Sequence, residues 1–274
     1  MYLQLTLFSP PAPAFPTGEP AWAVAFSGGK DSTALAFLAL DAAARLVPPP
    51  KVAVVYGNTG MEIPPLRERA MDILAALQEE AAALGVPLEV AVAAPPPERD
   101  FWYWYLRGYA FSPDVWARMR FRWCRDRLKV KPITAALKAL GQPALLLGTR
   151  AGESRERAKA LAGGGQRKTW YPVAAWDAAA VWEYLYRRRP DIADELATLY
   201  GRAEARTGCW VCPASPAGRQ LRSMARLSGW EWLEELAWVR KAVLAARTPE
   251  EREAARIMAD RVFRQKGGGY GNLF

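Results

Sequence analysis

The stretch AWAVAFSGGKDST, residues 21–33, decides the fold of this chain. Residues 21–26 are apolar, which predicts a buried β-strand, and the apolar pattern over residues 33–46 predicts a helix. Between them, Gly28 and Gly29 let the backbone approach an anion closely, and the N–H groups at the start of the helix point toward that anion. The stretch therefore predicts a phosphate-binding loop that joins a strand to a helix.

The alternation of strands and helices continues beyond this loop. Residues 51–56, 88–93 and 144–148 read as further strands, and residues 66–84 as a helix. This order predicts an α/β fold in which a parallel twisted sheet carries helices on both faces. From about Tyr184 the chain becomes helical, charged and rich in Trp. We expect a nucleotide-binding α/β domain over residues 1–183 and a helical C-terminal region over residues 184–274.

The composition of the chain limits its location, its partners and the catalytic groups it can use. No apolar run reaches the roughly 18 residues that a membrane span needs, and the N-terminal stretch is rich in Pro rather than signal-like, which predicts a cytoplasmic protein that does not bind membranes. The net charge of +9 favours nucleotide or nucleic-acid partners, although a basic surface also serves solubility. The chain has no His, so a Ser-His-Asp triad, a His general base and a His-ligated zinc site are excluded.

Each polar residue of the loop has a chemical use. Lys30 adds positive charge, and the hydroxyls of Ser27, Ser32 and Thr33 can bond to phosphate oxygens. Asp31 can hold a Mg²⁺ ion that bridges the phosphates. Residues 27–32 resemble the PP-loop of the adenine-nucleotide α-hydrolase superfamily and lack the glycine spacing of a Walker A loop. The resemblance implies that ATP is cleaved between its α- and β-phosphates, that AMP goes to an acceptor and that pyrophosphate is released.

Further segments resemble the 3'-phosphoadenosine-5'-phosphosulfate (PAPS) reductase family in the same order. They are residues 56–62 (YGNTGME), 121–124 (FRWC) with Leu128, Lys129 and Pro132, 148–150 (GTR) with Glu153, Ser154 and Arg157, and 171–182. The resemblance implies a nucleotide site and assigns catalytic roles to Lys30, Asp31, Arg150 and Arg157. The nucleotide-binding residues it implies are Ser27, Gly28, Gly29, Lys30, Asp31, Ser32, Thr33, Asn58, Gly60, Gly148 and Arg150.

Several of these residues also have simpler structural roles. Arginines such as Arg150 and Arg157 can fork onto phosphate or sulfate oxygens, which Lys cannot do, but they also serve as solvated side chains at the start of a helix. Glu153 and Ser154 can act as helix caps. The aromatic run at residues 101–105 is able to stack bases, yet rings at this density are more often packed into a core.

Three cysteines, Cys124, Cys209 and Cys212, are the remaining reactive groups. Without an export signal they are expected to stay reduced, and the C-x-x-C spacing of Cys209 and Cys212 lets two thiolates hold one metal or cluster. Three thiolates without a His suit a [4Fe-4S] cluster with one open iron better than a structural zinc ion. A thiol–disulfide pair or inert buried cysteines are the alternatives.

Residues 208–212 (GCWVC) resemble the corresponding segment of DndC-like proteins of DNA phosphorothioation. This resemblance implies an ATP-dependent sulfurtransferase that acts on nucleic acid, with DNA preferred to tRNA, and that takes sulfur from a donor such as a cysteine desulfurase. PAPS reductases also carry a nucleophilic Cys near the C-terminus, and residues 267–274 contain none. A sulfonucleotide reductase, an FAD-synthetase-like adenylyltransferase and a non-catalytic nucleic-acid-binding subunit stay open as alternatives, as does a homo-oligomer.

Overall fold

A computed structural model describes residues 11–109, 122–153, 155–162, 168–201, 208–213 and 217–266. Five parallel strands form one sheet in the order β3-β2-β1-β4-β5. The strands are β1 (Ala21–Phe26), β2 (Lys51–Gly57), β3 (Leu88–Ala93), β4 (Ala144–Leu146) and β5 (Thr169–Trp170). In register, Val24 of β1 lies between Val54 of β2 and Leu146 of β4. Strands β2 and β3 lie on one side of β1, and β4 and β5 lie on the other, so the strand order reverses at β1.

Helices surround the sheet and then continue alone toward the C-terminus. They are α1 (Lys30–Ala43), α2 (Pro64–Leu84), α3 (Phe101–Leu106), α4 (Trp123–Arg125), α5 (Lys131–Ala139), α6 (Arg155–Ala162), α7 (Ala178–Arg188), α8 (Pro190–Tyr200), α9 (Ala217–Met224), α10 (Leu233–Ala245) and α11 (Pro249–Gln265). A π-helical turn, Asp126–Val130, joins α4 to α5. None of the helices in the described ranges is long and apolar enough to cross a membrane.

Alternate residues of the central strands face opposite sides of the sheet. Val24 and Val54 pack into one cluster with side chains of α1, α2, α7 and α8, whereas Ala23 and Val55 point to the other side. There they meet Ile133 and neighbouring apolar residues of α5. Helices therefore cover both faces of a parallel sheet, which confirms the fold predicted from the strand–helix order.

The boundaries of several elements differ from the prediction. Helix α1 begins at Lys30, three residues before the predicted start, because Gly29 is its N-cap and the loop runs directly into the helix. It ends at Ala43 instead of residue 46, and β4 ends at Leu146 instead of residue 148. Strand β5 was not predicted, because two residues are too short to show a periodicity.

A second hydrophobic cluster holds the C-terminal helices together. Side chains of α9, α10 and α11 pack there against Phe101, Tyr105 and Trp210. The Tyr105 hydroxyl donates a hydrogen bond to the Val243 carbonyl at 2.8 Å. Phe101, Trp102 and Tyr105 are buried, as the packing interpretation of the aromatic run expects, while Tyr103 and Trp104 are half-buried. The region after the sheet is thus helical, as predicted.

Candidate functional site

The glycine-rich loop lies at the carboxyl end of β1, where the strand order changes direction and open α/β sheets usually bind ligands. Gly28 has φ +70°, and a Cβ there would lie 2.5 Å from the Cβ of Ala70 on α2. No side chain fits at this position without movement of the loop or of α2. The loop is therefore pressed against α2, with the first backbone N–H groups of α1 at its end.

Hydroxyl groups inside the loop hold its shape. Ser32 Oγ donates to the Gly29 carbonyl at 2.9 Å and accepts from the Ser27 N–H at 3.2 Å. The Ser27 hydroxyl lies 3.2 Å from the same atom. Thr33 is fully buried, and its Oγ1 has no hydrogen-bond partner in the part of the chain that the structure describes. The loop is thus closed by its own side chains.

Charged side chains converge on Asp31. Lys30 Nζ lies 2.9 Å from Asp31 Oδ2, and Arg150 Nε lies 2.5 Å from Asp31 Oδ1. Lys30 and Arg150 are 5% and 6% exposed, so both cations are held in a fixed place. One carboxylate between two cations leaves one positive charge over, which together with the start of α1 favours an anion.

The chain after β4 brings Arg150 to this loop. A Cβ on Gly148 would lie 3.1 Å from the Asp31 carbonyl oxygen, so a glycine lets the two backbones approach. The Arg150 N–H donates to Glu153 Oε2 at 3.2 Å, and Arg157 on α6 forms an ion pair with the same carboxylate. Arg150 thus joins the loop directly, and Arg157 is linked to it through Glu153. Ser154 and Phe121 lie outside the described residues.

The loop after β2 borders the same edge of the sheet. The Asn58 N–H donates to the Ala93 carbonyl at 3.0 Å, and Asn58 Oδ1 accepts from the Gly60 N–H at 3.0 Å. Thr59 donates to the Glu62 carboxylate from its backbone N–H, at 3.1 Å, and from its hydroxyl, at 2.6 Å. Asn58 and Gly60 therefore lie in a rigid loop whose polar groups bond mainly to one another.

The C-x-x-C turn rests on this second loop. The Cys212 N–H donates to the Cys209 carbonyl at 3.0 Å, which closes the turn, and the Trp210 N–H donates to the Met61 carbonyl at 2.8 Å. Cys209 forms an isolated antiparallel bridge with Glu62, and its Sγ lies 3.3 Å from Thr59 Oγ1. The turn is thus fixed beside the sheet edge that carries the glycine-rich loop.

Burial affects the pKa of two of the cysteine thiols. Burial, with a smaller effect of Cys212, raises the pKa of Cys124 to about 11. Burial and the nearby Glu62 carboxylate raise the pKa of Cys209 well above its usual value, and Cys212 adds to this effect. All three cysteines therefore share one neighbourhood, and their thiols suit a soft metal or cluster in kind. Within the described ranges, however, no three Cys, Asp, Glu or His side chains converge on a metal-sized site.

Residues 21–215 match the family model described as phosphoadenosine phosphosulfate reductase domain. The chain belongs to the PAPS reductase domain family. The match includes the glycine-rich loop, Arg150 and all three cysteines, and it confirms the family to which the sequence motifs were compared. The glycine-rich loop is thus the PP-loop of a PAPS reductase domain.

Individual relatives are distant. Two uncharacterized proteins of Methanocaldococcus jannaschii are each 26% identical over 205 and 214 residues, which covers 72% and 71% of this chain. The matches cover 42% and 36% of those proteins, so the chain spans less than half the length of these relatives.

Two solved structures are weakly similar to this PAPS reductase domain. PAPS reductase from Candida auris in a phosphate complex is 19% identical with a TM-score of 0.43, covering 73% of this chain and 84% of that one. The U34-tRNA thiolase NcsA from Methanococcus maripaludis with its [4Fe-4S] cluster is 14% identical with a TM-score of 0.40, covering 88% and 73%. Both similarities are too weak to transfer a residue or a ligand to this chain.

The sequence motifs did not include two residues of the candidate site. Tyr200 at the end of α8 accepts a hydrogen bond from the Lys30 N–H at 3.2 Å, and its ring centre lies 5.9 Å from Lys30 Nζ. It is 170 residues away in sequence, so no local pattern indicates it. Arg240 of α10 donates to the Cys212 carbonyl at 2.8 Å and lies in a segment with no motif.

Proposed function

We propose that this protein is an ATP-dependent sulfurtransferase that transfers AMP to an acceptor, releases pyrophosphate and then places sulfur on the activated acceptor. The observation that carries this proposal is the position of the C-x-x-C turn. Cys209 Sγ lies 3.3 Å from Thr59, in the loop that follows the strand next to the PP-loop. The C-x-x-C turn and the PP-loop thus lie along one edge of the sheet, which supports a reaction that uses both.

The PP-loop side supplies the first reaction. An acceptor oxygen attacks the α-phosphorus of ATP, the bond from that phosphorus to the bridging oxygen breaks, and pyrophosphate leaves with the electron pair. Lys30, Arg150 and the backbone N–H groups at the start of α1 offset the negative charge that develops on pyrophosphate. The Asp31 carboxylate would hold Mg²⁺, and Arg157 would orient Glu153 beside Arg150. Positioning and charge suffice for this chemistry, so a general base is not required.

The three cysteines and the residues around them carry out the second reaction in this proposal. Cys124, Cys209 and Cys212 would hold a [4Fe-4S] cluster. When bound, such a cluster would supply an iron that is free of protein ligands and has affinity for sulfur. Thr59 and Arg240 hold the C-x-x-C turn in place through the contacts at Cys209 and Cys212. Sulfur at the oxidation level of sulfide displaces AMP from the acceptor, so AMP leaves with the acceptor's former oxygen. A persulfide donor such as a cysteine desulfurase renews the sulfur, and a thiol reductant supplies the two electrons that bring it to the sulfide level.

The acceptor in this proposal is a nucleic acid, with a DNA backbone phosphate preferred to tRNA. The net charge of +9 supports a polyanionic acceptor, and residues 122–131, around Cys124, hold five basic side chains and one carboxylate. The preference for DNA rests on the resemblance of residues 208–212 to DndC-like proteins.

Two measurements on anaerobically purified protein test this function. Iron and sulfide analysis with an absorption spectrum is expected to show a cluster that is lost in Cys209→Ala, and ATP–pyrophosphate exchange is expected in the presence of DNA. Asp31→Asn is expected to abolish exchange, whereas Asp72→Asn, at a side chain 66% exposed, serves as the matched control and retains it. A colourless protein that contains zinc or no metal would refute the sulfurtransferase.

The family match favours a second candidate, a sulfonucleotide reductase, because the model that covers residues 21–215 is that of a reductase domain. Release of sulfite from adenylylated sulfate in the presence of a thiol donor would support the reductase, and its absence would exclude it.

A further inference from the structure

Arg127, which lies outside the PP-loop, packs against the aromatic side chains of Trp104 and Tyr109. The guanidinium carbon of Arg127 lies 3.8 Å from the ring centre of Trp104 and 5.3 Å from that of Tyr109. Its Nη2 also lies 3.5 Å from the Tyr109 hydroxyl. Such stacking fixes the plane of a guanidinium group and leaves its outer edge able to donate hydrogen bonds. Arg127 is therefore oriented before any ligand arrives.

Within the described part of the chain, the charge of Arg127 is not balanced by a carboxylate. Among the described residues no Asp or Glu forms an ion pair with Arg127, and its buried Nε has no hydrogen-bond partner. The adjacent carboxylate, Asp126, pairs with Lys131 at 3.5 Å. Structural arginines at this depth are usually neutralised by a carboxylate, as Arg188 is by Asp41. An oriented, unneutralised guanidinium is the arrangement that phosphate recognition uses.

Arg127 is close to the cysteine side of the site. It follows Cys124 by three residues on the continuous helical segment from α4 through the π-helical turn. Tyr109, which supports Arg127, has its ring centre 5.8 Å from that of Trp123, the residue before Cys124. π-Helical turns are rare and occur often at functional sites. A phosphate on Arg127 would thus lie near the thiol of Cys124.

A second arginine extends the same surface. Arg107 lies 3.6 Å from the ring centre of Tyr103, and the rings of Tyr103 and Trp104 are 4.9 Å apart. Because the two rings meet edge to face, with an angle of 82° between their planes, Tyr103 and Trp104 form a contiguous aromatic surface that carries Arg107 at one end and Arg127 at the other. Two cations held apart by aromatic rings suit a chain of phosphates better than a single anion.

We propose that Arg127, held by Trp104 and Tyr109, binds a phosphodiester of the nucleic-acid acceptor and places it beside Cys124, with Arg107 binding a neighbouring phosphate. This inference rests on the proposed function, because it assigns the acceptor's contact surface. The rings act by orienting the guanidinium groups. The surface carries no sequence preference, since its contacts are to the backbone of the nucleic acid.

The test is fluorescence anisotropy with a fluorescein-labelled 20-nucleotide oligo-dT and the full chain. Arg127→Gln is expected to raise Kd by about tenfold and to reduce the slope of log K against log salt by about one, as loss of one phosphate contact does. Arg127→Lys is expected to recover less than half of the loss on a logarithmic scale, because Lys lacks the planar fork. The control is Arg187→Gln, a 73% exposed arginine on α7, which should bind like the wild type.

The outcomes separate this inference from the proposed function, because equilibrium binding needs neither a cluster nor turnover. Wild-type affinity and salt slope in Arg127→Gln would overturn the inference even if the protein carries a cluster and exchanges pyrophosphate. A Kd that depends on Arg127 in a protein without cluster or exchange would support the binding surface while refuting the sulfurtransferase. Equal losses in Arg127→Gln and Arg187→Gln would also overturn it, since they would show a general effect of charge.

Discussion

Gly28→Ala tests whether the PP-loop conformation is set by its contact with α2. Two costs follow from the structure. A non-glycine residue at φ +70° costs about 1–2 kcal/mol. The new methyl group would also lie 2.5 Å from the Cβ of Ala70, well inside contact distance, and overpacking of this kind costs about 1–3 kcal/mol. We expect the free energy of unfolding to fall by about 2–5 kcal/mol.

Gly85→Ala is the matched control for the backbone cost alone. Gly85 ends α2 with φ +67°, and a Cβ there would have no atom within 4 Å. Urea unfolding followed by circular dichroism should show a loss of only about 1–2 kcal/mol for this variant. The difference between the two variants then measures the steric contact with α2.

A double variant isolates the contact further. Ala70→Gly removes the opposing methyl group, at a cost of about 1 kcal/mol for a glycine inside a helix. Combined with Gly28→Ala, it should be less destabilised than the sum of the two single variants, with a coupling of about 1–3 kcal/mol. If Gly28→Ala loses no more stability than Gly85→Ala, the contact with α2 does not set the loop, and the reasoning is wrong.

Three further changes follow from contacts outside the loop. Tyr200→Phe removes the acceptor of the Lys30 N–H, and we expect the free energy of unfolding in urea to fall by about 1 kcal/mol. We also expect titration calorimetry to show ATP binding weakened severalfold. Unchanged ATP affinity would contradict a role for Tyr200 at the site. Arg188→Gln leaves Asp41 and Glu80 without their shared cation and is expected to cost about 2–3 kcal/mol, whereas the exposed Arg264→Gln should cost less than about 0.5 kcal/mol. Burial raises the pKa of Tyr105 to about 12. The unfolded chain therefore ionises first near pH 10, and the stability that Tyr105 contributes is lost as pH rises from about 10 to about 12; wild type should lose more stability than Tyr105→Phe over this range, and parallel pH profiles would contradict the assignment.

Patterns within single segments were enough to predict the three strands β1, β2 and β3 of the sheet. The apolar run at residues 21–26 and the glycines that follow it are local features, and strands β1, β2 and β3 lie within one residue of their predicted ends. Strand β5 has two residues and is defined by its pairing with β4, which no periodicity records. The start of α1 was placed too late because the helix begins inside the motif, at Lys30, where polar residues hide the apolar pattern.

The site was less accessible to sequence reasoning because its decisive contacts join distant segments. The resemblance placed Arg150 among the nucleotide-binding residues, and the ion pair with Asp31 gives a physical reason for its presence near the loop. Tyr200, by contrast, contributes one hydroxyl from the end of a helix whose other buried residues simply pack. A single polar contact of this kind cannot be recognised from the hydrophobic pattern or from the composition of the sequence.

The loop after β2 joins the two halves of the candidate site. Asn58 bonds back to β3 through Ala93, while Thr59 and Met61 bond to the C-x-x-C turn through Cys209 and Trp210. The PP-loop half and the C-x-x-C half are therefore joined by a segment of a few residues whose polar groups are already hydrogen-bonded. Neither half can move relative to the other without breaking these bonds. Such a rigid connection keeps the thiols at a constant distance from the sheet edge that carries the PP-loop. In the proposed two-step reaction this matters, because an activated acceptor that had to wait for a mobile sulfur carrier would be exposed to water.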